Sequence, residues 1–278
     1  MGKLILFVLP VALLPAQSIL PMDGGPSWTA RRNASVRSRR TPVQPVATTG
    51  PSDLVFSRIL CGTGWSTTLV LVNAGSSAVD FQLGFSGAGG ESSQFAIATQ
   101  PDIGTLTTSG LQGILGPISS LNLTLTSSAA MQEGWGLLSY PSGQGTIGGY
   151  AILRHNAPGG AFNFETTVPL SSMRDFSLYV PFDNTLGFQT QLTIVNPASN
   201  LAAQVALTYR TAEGQVMLVD SVNLGAGQQT TIVLPNEYPD LANKSGTIDL
   251  QANINVLSAI AVRYNPAYGT VAAVPGIN

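Results

Sequence analysis

Beyond residue 51 the chain alternates apolar and polar positions in short runs. "VDFQLGF" (79–85) places Val79, Phe81, Leu83 and Phe85 on one side, and "AQVALTY" (203–209) does the same with Val205, Leu207 and Tyr209. A period of two is the mark of a strand with one buried face. Turn-forming clusters such as "NAGSS", "SGAGG", "NPASN" and "TAEG" separate the runs. Only "NEYPDLANKSG" (236–246) has helical flavour, as a single turn closing a loop. The pattern predicts an all-β protein of many short antiparallel strands.

The runs occur twice in one order. "GWSTTLVLVN" (64–73) lies over "GFQTQLTIVN" (187–196), matching Gly64 with Gly187, Trp65 with Phe188, and Asn73 with Asn196. "LGPISSLNLTL" (115–125) lies over "LGAGQQTTIVL" (224–234), and "AILRHNA" (151–157) over "IAVRYNP" (260–266), which pairs Arg154 with Arg263. The chain therefore reads as an internal duplication, with copy one at 52–171 and copy two at 172–278. Roughly seven or eight strands per copy predict two tandem antiparallel β-sandwich domains, Ig-like or jelly-roll-like. Copy one carries extra residues within 87–114, an insertion that belongs on loops, where binding functions concentrate.

The repeat also sorts candidate residues. The ring shared by Trp65 and Phe188 predicts core packing at a strand entry, with an exposed stacking platform as the alternative. Trp135 faces Thr247 and so serves no shared packing need, which makes it a candidate sugar-stacking or interface aromatic. Arg154 and Arg263 are expected to pair a carboxylate or cap carbonyls. In "PFDNTLGFQTQLTIVN" (181–196), the part from Gly187 onward is matched in copy one, whereas "VPFDNTLG" stands against "LCGTG" as three residues longer. Asp183, Asn184 and Thr185 read as turn chemistry, with a ligand or ion contact from Asp183 and Asn184 as the alternative.

Composition changes the picture in two ways. Charged residues are only 9% of the chain, with Gly 30 and Pro 18, a balance suited to an extracellular all-β protein. Met1–Lys3, the apolar run Leu4–Leu14 and Ala16-Gln17-Ser18 together read as a signal peptide over 1–18. The expected mature protein is secreted, extracellular or periplasmic, with no membrane span. Residues 19–51 read as a disordered basic Pro/Arg-rich linker, with Arg31, Arg32, Arg37, Arg39 and Arg40 in one decapeptide. Residues 51–278 hold six basic and thirteen acidic residues, so nucleic acid is not an expected partner.

Catalytic chemistry is not legible. His155 is the chain's one histidine, its counterpart is Tyr264, and the acids are scattered singly. No nucleophile–base spacing, paired carboxylates, metal-ligand spacing or cofactor motif is present. Cys61, the one cysteine, reads as a buried small hydrophobe. The Gly-Trp-x-Thr-x-Leu-x-Leu-Val-Asn and Pro-Phe-Asp-Asn-Thr-x-Gly-Phe-x-Thr blocks resemble a loosely defined group of secreted bacterial proteins with tandem Ig-like β-sandwich domains. That resemblance implies fold and compartment and carries over no site residue. The expectation is a non-enzymatic module acting through its surfaces in adhesion, envelope assembly or ligand display, toward a protein or glycan surface or by edge-strand self-association. The alternatives are a carbohydrate-binding protein using the copy-one insertion and Trp135, and an extracellular hydrolase.

Overall fold

The computed structural model describes residues 51–100, 105–127, 130–143, 145–156, 163–172, 176–265, 267 and 269–277. The expected signal peptide and nearly all of the basic linker lie outside these residues. In the first half the strands are β1 (Pro51–Cys61), β2 (Trp65–Asn73), β3 (Val79–Gly87), β4 (Phe95–Gln100), β5 (Thr105–Thr108) and β6 (Gly110–Leu115). They continue with β7 (Ser119–Thr126), β8 (Gln132–Pro141), β9 (Ile147–Asn156), β10 (Asn163–Pro169) and β11 (Ser171–Ser172). The second half has β12 (Ser177–Asp183), β13 (Gln189–Val195), β14 (Ala203–Arg210), β15 (Val216–Leu224) and β16 (Gln229–Val233). After a helical turn α1 (Leu234–Glu237) and a 3-10 turn (Pro239–Leu241) come β17 (Ser245–Ala252), β18 (Ser258–Asn265) and β19 (Thr270–Pro275).

These strands form four antiparallel sheets, ordered β11-β1-β8-β3-β6, β10-β9-β2-β7-β4-β5, β12-β17-β14-β15 and β16-β13-β18-β19. The all-β expectation holds, but the two tandem β-sandwich domains do not: the four small sheets are arranged as a four-bladed β-propeller. Strands of each half alternate between two sheets, so no blade is a simple meander. The physical reason for the difference lies in β1, β13 and β18. Val55–Cys61, Leu192–Val195 and Ser258–Val262 are buried at every position, so these strands are covered on both faces. Alternation reports that a strand has one apolar face and is silent about what covers the other. Here the polar faces of the first and fourth sheets cover each other.

Apolar packing follows the same layers. Phe56, Leu69, Leu83, Ile97, Leu123 and Leu138 belong to one core, and Val180, Leu192, Leu207, Tyr209, Leu250 and Ala261 to another. A small third cluster of Val55, Trp135 and Val195 bridges the halves, and Ile260 of the second half reaches into the first core.

The duplicated blocks occupy equivalent places. Asn73 Nδ2 donates to the carbonyls of Ser77, Leu115 and Gly116, and Asn196 Nδ2 to those of Leu201, Leu224 and Gly225. Each thus pins its own sheet-to-sheet connection to a neighbouring loop. Thr67 Oγ1 bonds both the N–H and the carbonyl of Leu60, and Thr190 Oγ1 both those of Asp183. The spans are seven residues in each copy, so the expected three-residue excess before Gly187 is not there. The insertion of copy one forms β4 and β5, which extend the second sheet beyond β7. The matching edge, β16, has no such extension; there the backbone carbonyl of Ala88 from the first half accepts from Gln229 N–H at 2.9 Å.

Candidate ligand site at the seam between the halves

Opposite Trp135, β1 carries one residue too many. Phe56 pairs Gly136 and Ile59 pairs Gly134, so Ser57 and Arg58 together oppose a single residue. In copy two the same positions run without a break, Val180 to Ile248, Pro181 to Thr247 and Phe182 to Gly246. Copy one therefore has a β-bulge where copy two has Pro181. Bulges re-aim side chains, and this one turns Ser57 and Arg58 into the seam.

Most polar groups there are satisfied across the halves. Ser57 Oγ lies 2.7 Å from Ser258 Oγ, and Ser258 lies 2.7 Å from Ser171 Oγ. Gln229 Nε2 donates to the carbonyls of Ser57 and Gly134 at 2.8 and 3.2 Å. Thr231 Oγ1 donates to Glu133 Oε1 at 2.7 Å. Such bonds make a seam of two polar sheet faces tolerable, because unpaired buried polar groups are costly.

Two groups are exceptions: Gln229 Oε1 is buried without a partner, and Arg58 is incompletely paired. Arg58 is 4% exposed, and its Nη2 donates to Gln191 Oε1 at 2.9 Å. Glu133 Oε1 stands 3.5 Å from Nε, too far for a good hydrogen bond, and Nε is buried without a partner. Burial lowers the guanidinium pKa from its usual value, and the Glu133 charge works against that. Arg58 lines a recess of about 300 Å³, together with Trp65, Met131, His155, Phe164, Gln191 and Tyr264.

The recess walls are aromatic. Trp65 and His155 have ring centroids 4.9 Å apart, Trp65 and Phe164 5.4 Å, and His155 and Phe164 stack at 5.1 Å. Tyr264, which by strand register corresponds to Arg154 rather than to His155 as the sequence suggested, reaches Phe164 from the second half at 5.8 Å. Half-buried Trp65 packs against the first core, the role its position suggested first, and also lines this space.

The sequence-nominated residues fall elsewhere. Trp135 is 4% exposed, with Nε1 donating to the Gly227 carbonyl at 2.8 Å, so it is an interface aromatic and cannot stack on a ligand. Asp183 and Asn184 are also spoken for by the chain. Thr185 N–H and Oγ1 donate to Asp183 Oδ1 at 2.9 and 2.6 Å, and Arg263 Nη2 meets Oδ2 at 2.6 Å. Asn184 is buried, donating to Leu241 O and accepting from Thr190 N–H. Burial opposes ionisation of Asp183, yet the Thr185 bonds and then the Arg263 charge outweigh it and lower its pKa. The trio is turn chemistry.

The turn itself is shared. Thr63 and Gly64 have φ of 50° and 85°, and Leu186 and Gly187 have 54° and 77°. Two successive left-handed residues are what a two-residue hairpin turn matching strand twist requires. Arg154 pairs exposed Glu165, with Nε at 3.1 Å and Nη2 at 2.8 Å. Arg263 lies 3.5 Å over the Phe188 ring as well as against Asp183. Cys61 is buried, and desolvation pushes its thiol up to about 12. Among the described residues no three His, Cys, Asp or Glu gather as a metal site.

Sequence reasoning missed Arg58. The signal was present: "VFSRILCGTG" over "YVPFDNTLG" leaves one unmatched residue at Ser57-Arg58 once Gly64 and Gly187 are aligned without the longer gap. No family model, curated protein or solved structure matches the chain.

Proposed function

We propose that this is a secreted, non-enzymatic binding module, and that the recess at the seam is where it takes its ligand. One observation carries the reading. A bulge without counterpart in the other half brings a buried guanidinium to the wall of an aromatic-lined recess. Binding sites are typically concave, mostly apolar and furnished with a few convergent polar groups. Among the described residues no carboxylate lines the recess, which favours binding over acid–base hydrolysis. The test is a thermal-shift and calorimetric screen of the mature protein against soluble saccharides, peptides and cell-wall polymers. Wild-type binding that Arg58→Met and Trp65→Ala both weaken supports the reading; binding that neither variant touches places the ligand elsewhere and sinks it.

A second reading, self-association through sheet edges, rests on β15. That strand is a sheet edge, and Val216 and Val219 on it are 53% and 63% exposed. Open apolar edges template pairing with other chains. Light scattering across a concentration series tests it: Val219→Lys should abolish any concentration-dependent mass increase, and a wild-type mass that stays monomeric throughout removes the reading.

A further inference from the structure

We infer that the groove between β15 and β16 takes up the arginine-rich segment 31–40 of the same molecule, laid along the open edge of β16 with its arginines against Asp220 and Glu237. The groove shares no lining residue with the seam recess, so this contact stands apart from the ligand site. The duplication locates the open edge, two carboxylates fix its charge, and the chain's own sequence supplies the occupant.

In the first half the outer side of β7 is covered, because β4 pairs Gln100 with Asn122 and Ala98 with Thr124. Thr231 and Val233 hold the matching places on β16, since Ile232 opposes Leu192 as Leu123 opposes its counterpart Leu69. β16 has no strand beyond it. Gln229 N–H points outward from β16 and is taken by the Ala88 carbonyl. Alternation along the strand turns the backbone groups of Thr231 and Val233 the same way, where no strand meets them. An uncovered edge of this kind is a template for one more extended segment. Beyond Val233 the chain turns into α1, so the open stretch is short and ends against Asn236 and Tyr238.

The groove runs to about 700 Å³, and two carboxylates but no cation line it. Asp220 lies opposite buried Leu207 and accepts from Tyr238 Oη at 2.6 Å and from Ser221 N–H at 2.7 Å. Those two bonds hold its carboxyl below the usual value. Among the described residues all four ion pairs lie elsewhere, and they occupy Arg58, Arg154, Arg210 and Arg263. Segment 31–40 carries five arginines, no acid, and no proline or glycine to interrupt a strand. Guanidinium forks match carboxylates, but exposed pairs are individually weak, so tethering decides which segment is held. Eleven peptide steps separate Arg40 from Pro51, a reach of up to about 36–40 Å. That is about twice the radius of gyration of roughly 17 Å expected for a body of this size. The segment therefore reaches the groove of its own molecule, and a short tether holds it there at about millimolar effective concentration.

The test uses the full mature chain and reads amide hydrogen exchange by NMR at Thr231 and Val233. Wild type is compared with an arginine variant, Arg31→Gln, Arg32→Gln, Arg37→Gln, Arg39→Gln and Arg40→Gln together, and with a groove variant, Asp220→Asn with Glu237→Gln. The expected result is exchange at both amides at least tenfold slower in wild type than in either variant, at every protein concentration. Salt at about 1 M, which screens exposed charges beyond about 3 Å, should bring wild type to the variants' rate. Equal rates in wild type and the arginine variant, fast or slow, overturn the inference. Protection that disappears on dilution gives the groove to a second copy and overturns the same-molecule assignment. Protection lost in the arginine variant but kept in the groove variant overturns the roles of Asp220 and Glu237. Should the groove variant fail to fold, the arginine variant decides alone, because its substitutions touch neither core. No ligand of the recess enters the experiment, so either outcome leaves the binding reading where it stands.

Discussion

The corners at Trp65 and Phe188 are the same piece of architecture put to different ends. Both follow a two-residue left-handed turn, but the arginines expected to correspond do not: Arg263 pairs Thr190, whereas the matched Thr67 pairs Leu153 and Arg154 lies one register step on, opposite Ser66. At Phe188 the corner is closed by the chain itself: Arg263 lies on the ring and grips Asp183, which is held in turn by Thr185. At Trp65 the place of Arg263 is taken by Leu153, Arg154 on the other face pairs Glu165 with both side chains half exposed, and the ring is left to line the recess. Asp183 has Leu60 as its counterpart, so the first corner has no carboxylate to close it. A duplication lets one copy keep a fully satisfied frame while the other opens a cavity in the same place.

The largest test of that contrast is at the bulge. Trp135→Ala should cost about 3–5 kcal/mol in a denaturant titration, since it empties a buried site and orphans the Gly227 carbonyl. Thr247→Ala, at the matched but unbulged position, should cost about 1 kcal/mol or less. Equal losses at the two positions would mean that the bulge carries no special packing.

Next comes Arg58→Met. The change removes one partner of a buried pair and leaves Glu133 and the Gln191 Oε1 acceptor without it, a loss that costs about 3 kcal/mol or more. The variant should melt below the wild-type temperature. Melting at or above it would show that Arg58 is no strut of the seam.

Smaller effects sharpen the closed corner. Asp183→Asn should lower stability by about 1 kcal/mol at neutral pH, the scale of a charge-assisted contact at a partly exposed site. Because the folded carboxyl pKa is depressed, its stabilisation is present above the unfolded value of about 3.9 and is lost as pH falls through the folded value. Wild-type and variant melting curves should therefore converge in acid, and a gap that persists there would point to lost packing instead. Smallest is Leu186→Asn. Leu186 is 84% exposed at positive φ, so the change loses no packing and relieves strain, raising stability by about 0.5–1 kcal/mol. The equivalent Thr63→Asn should gain similarly if the two turns are energetically alike.

Much of this frame was legible in the residues alone. The period-two runs located the strands, and the matched glycines marked the left-handed turns at Gly64 and Gly187. Asn73 and Asn196 stood out as a pair before their identical bonding was visible. The arrangement of sheets was not legible, because Ser57, Arg58, Thr193 and Ser258 carry polar side chains that a single-strand pattern assigns to solvent. Their burial depends on hydrogen bonds between residues as far apart as 57 and 258, which no local periodicity encodes. The site was missed for a narrower reason. A gap placed after Cys61 hid the single unmatched residue before it, and Trp135, unmatched but buried, drew the attention that its neighbour across the bulge warranted.

The seam has a further consequence for how such units assemble. It joins the β1 side of one copy to the β13–β18 side of the other, two faces that are not equivalents in the duplication. A contact between unlike faces is head-to-tail and uses up neither copy's second surface. A single ancestral unit sticking to itself in this way would form a row rather than a two-fold pair, and fusing two units in one chain fixes the length of that row.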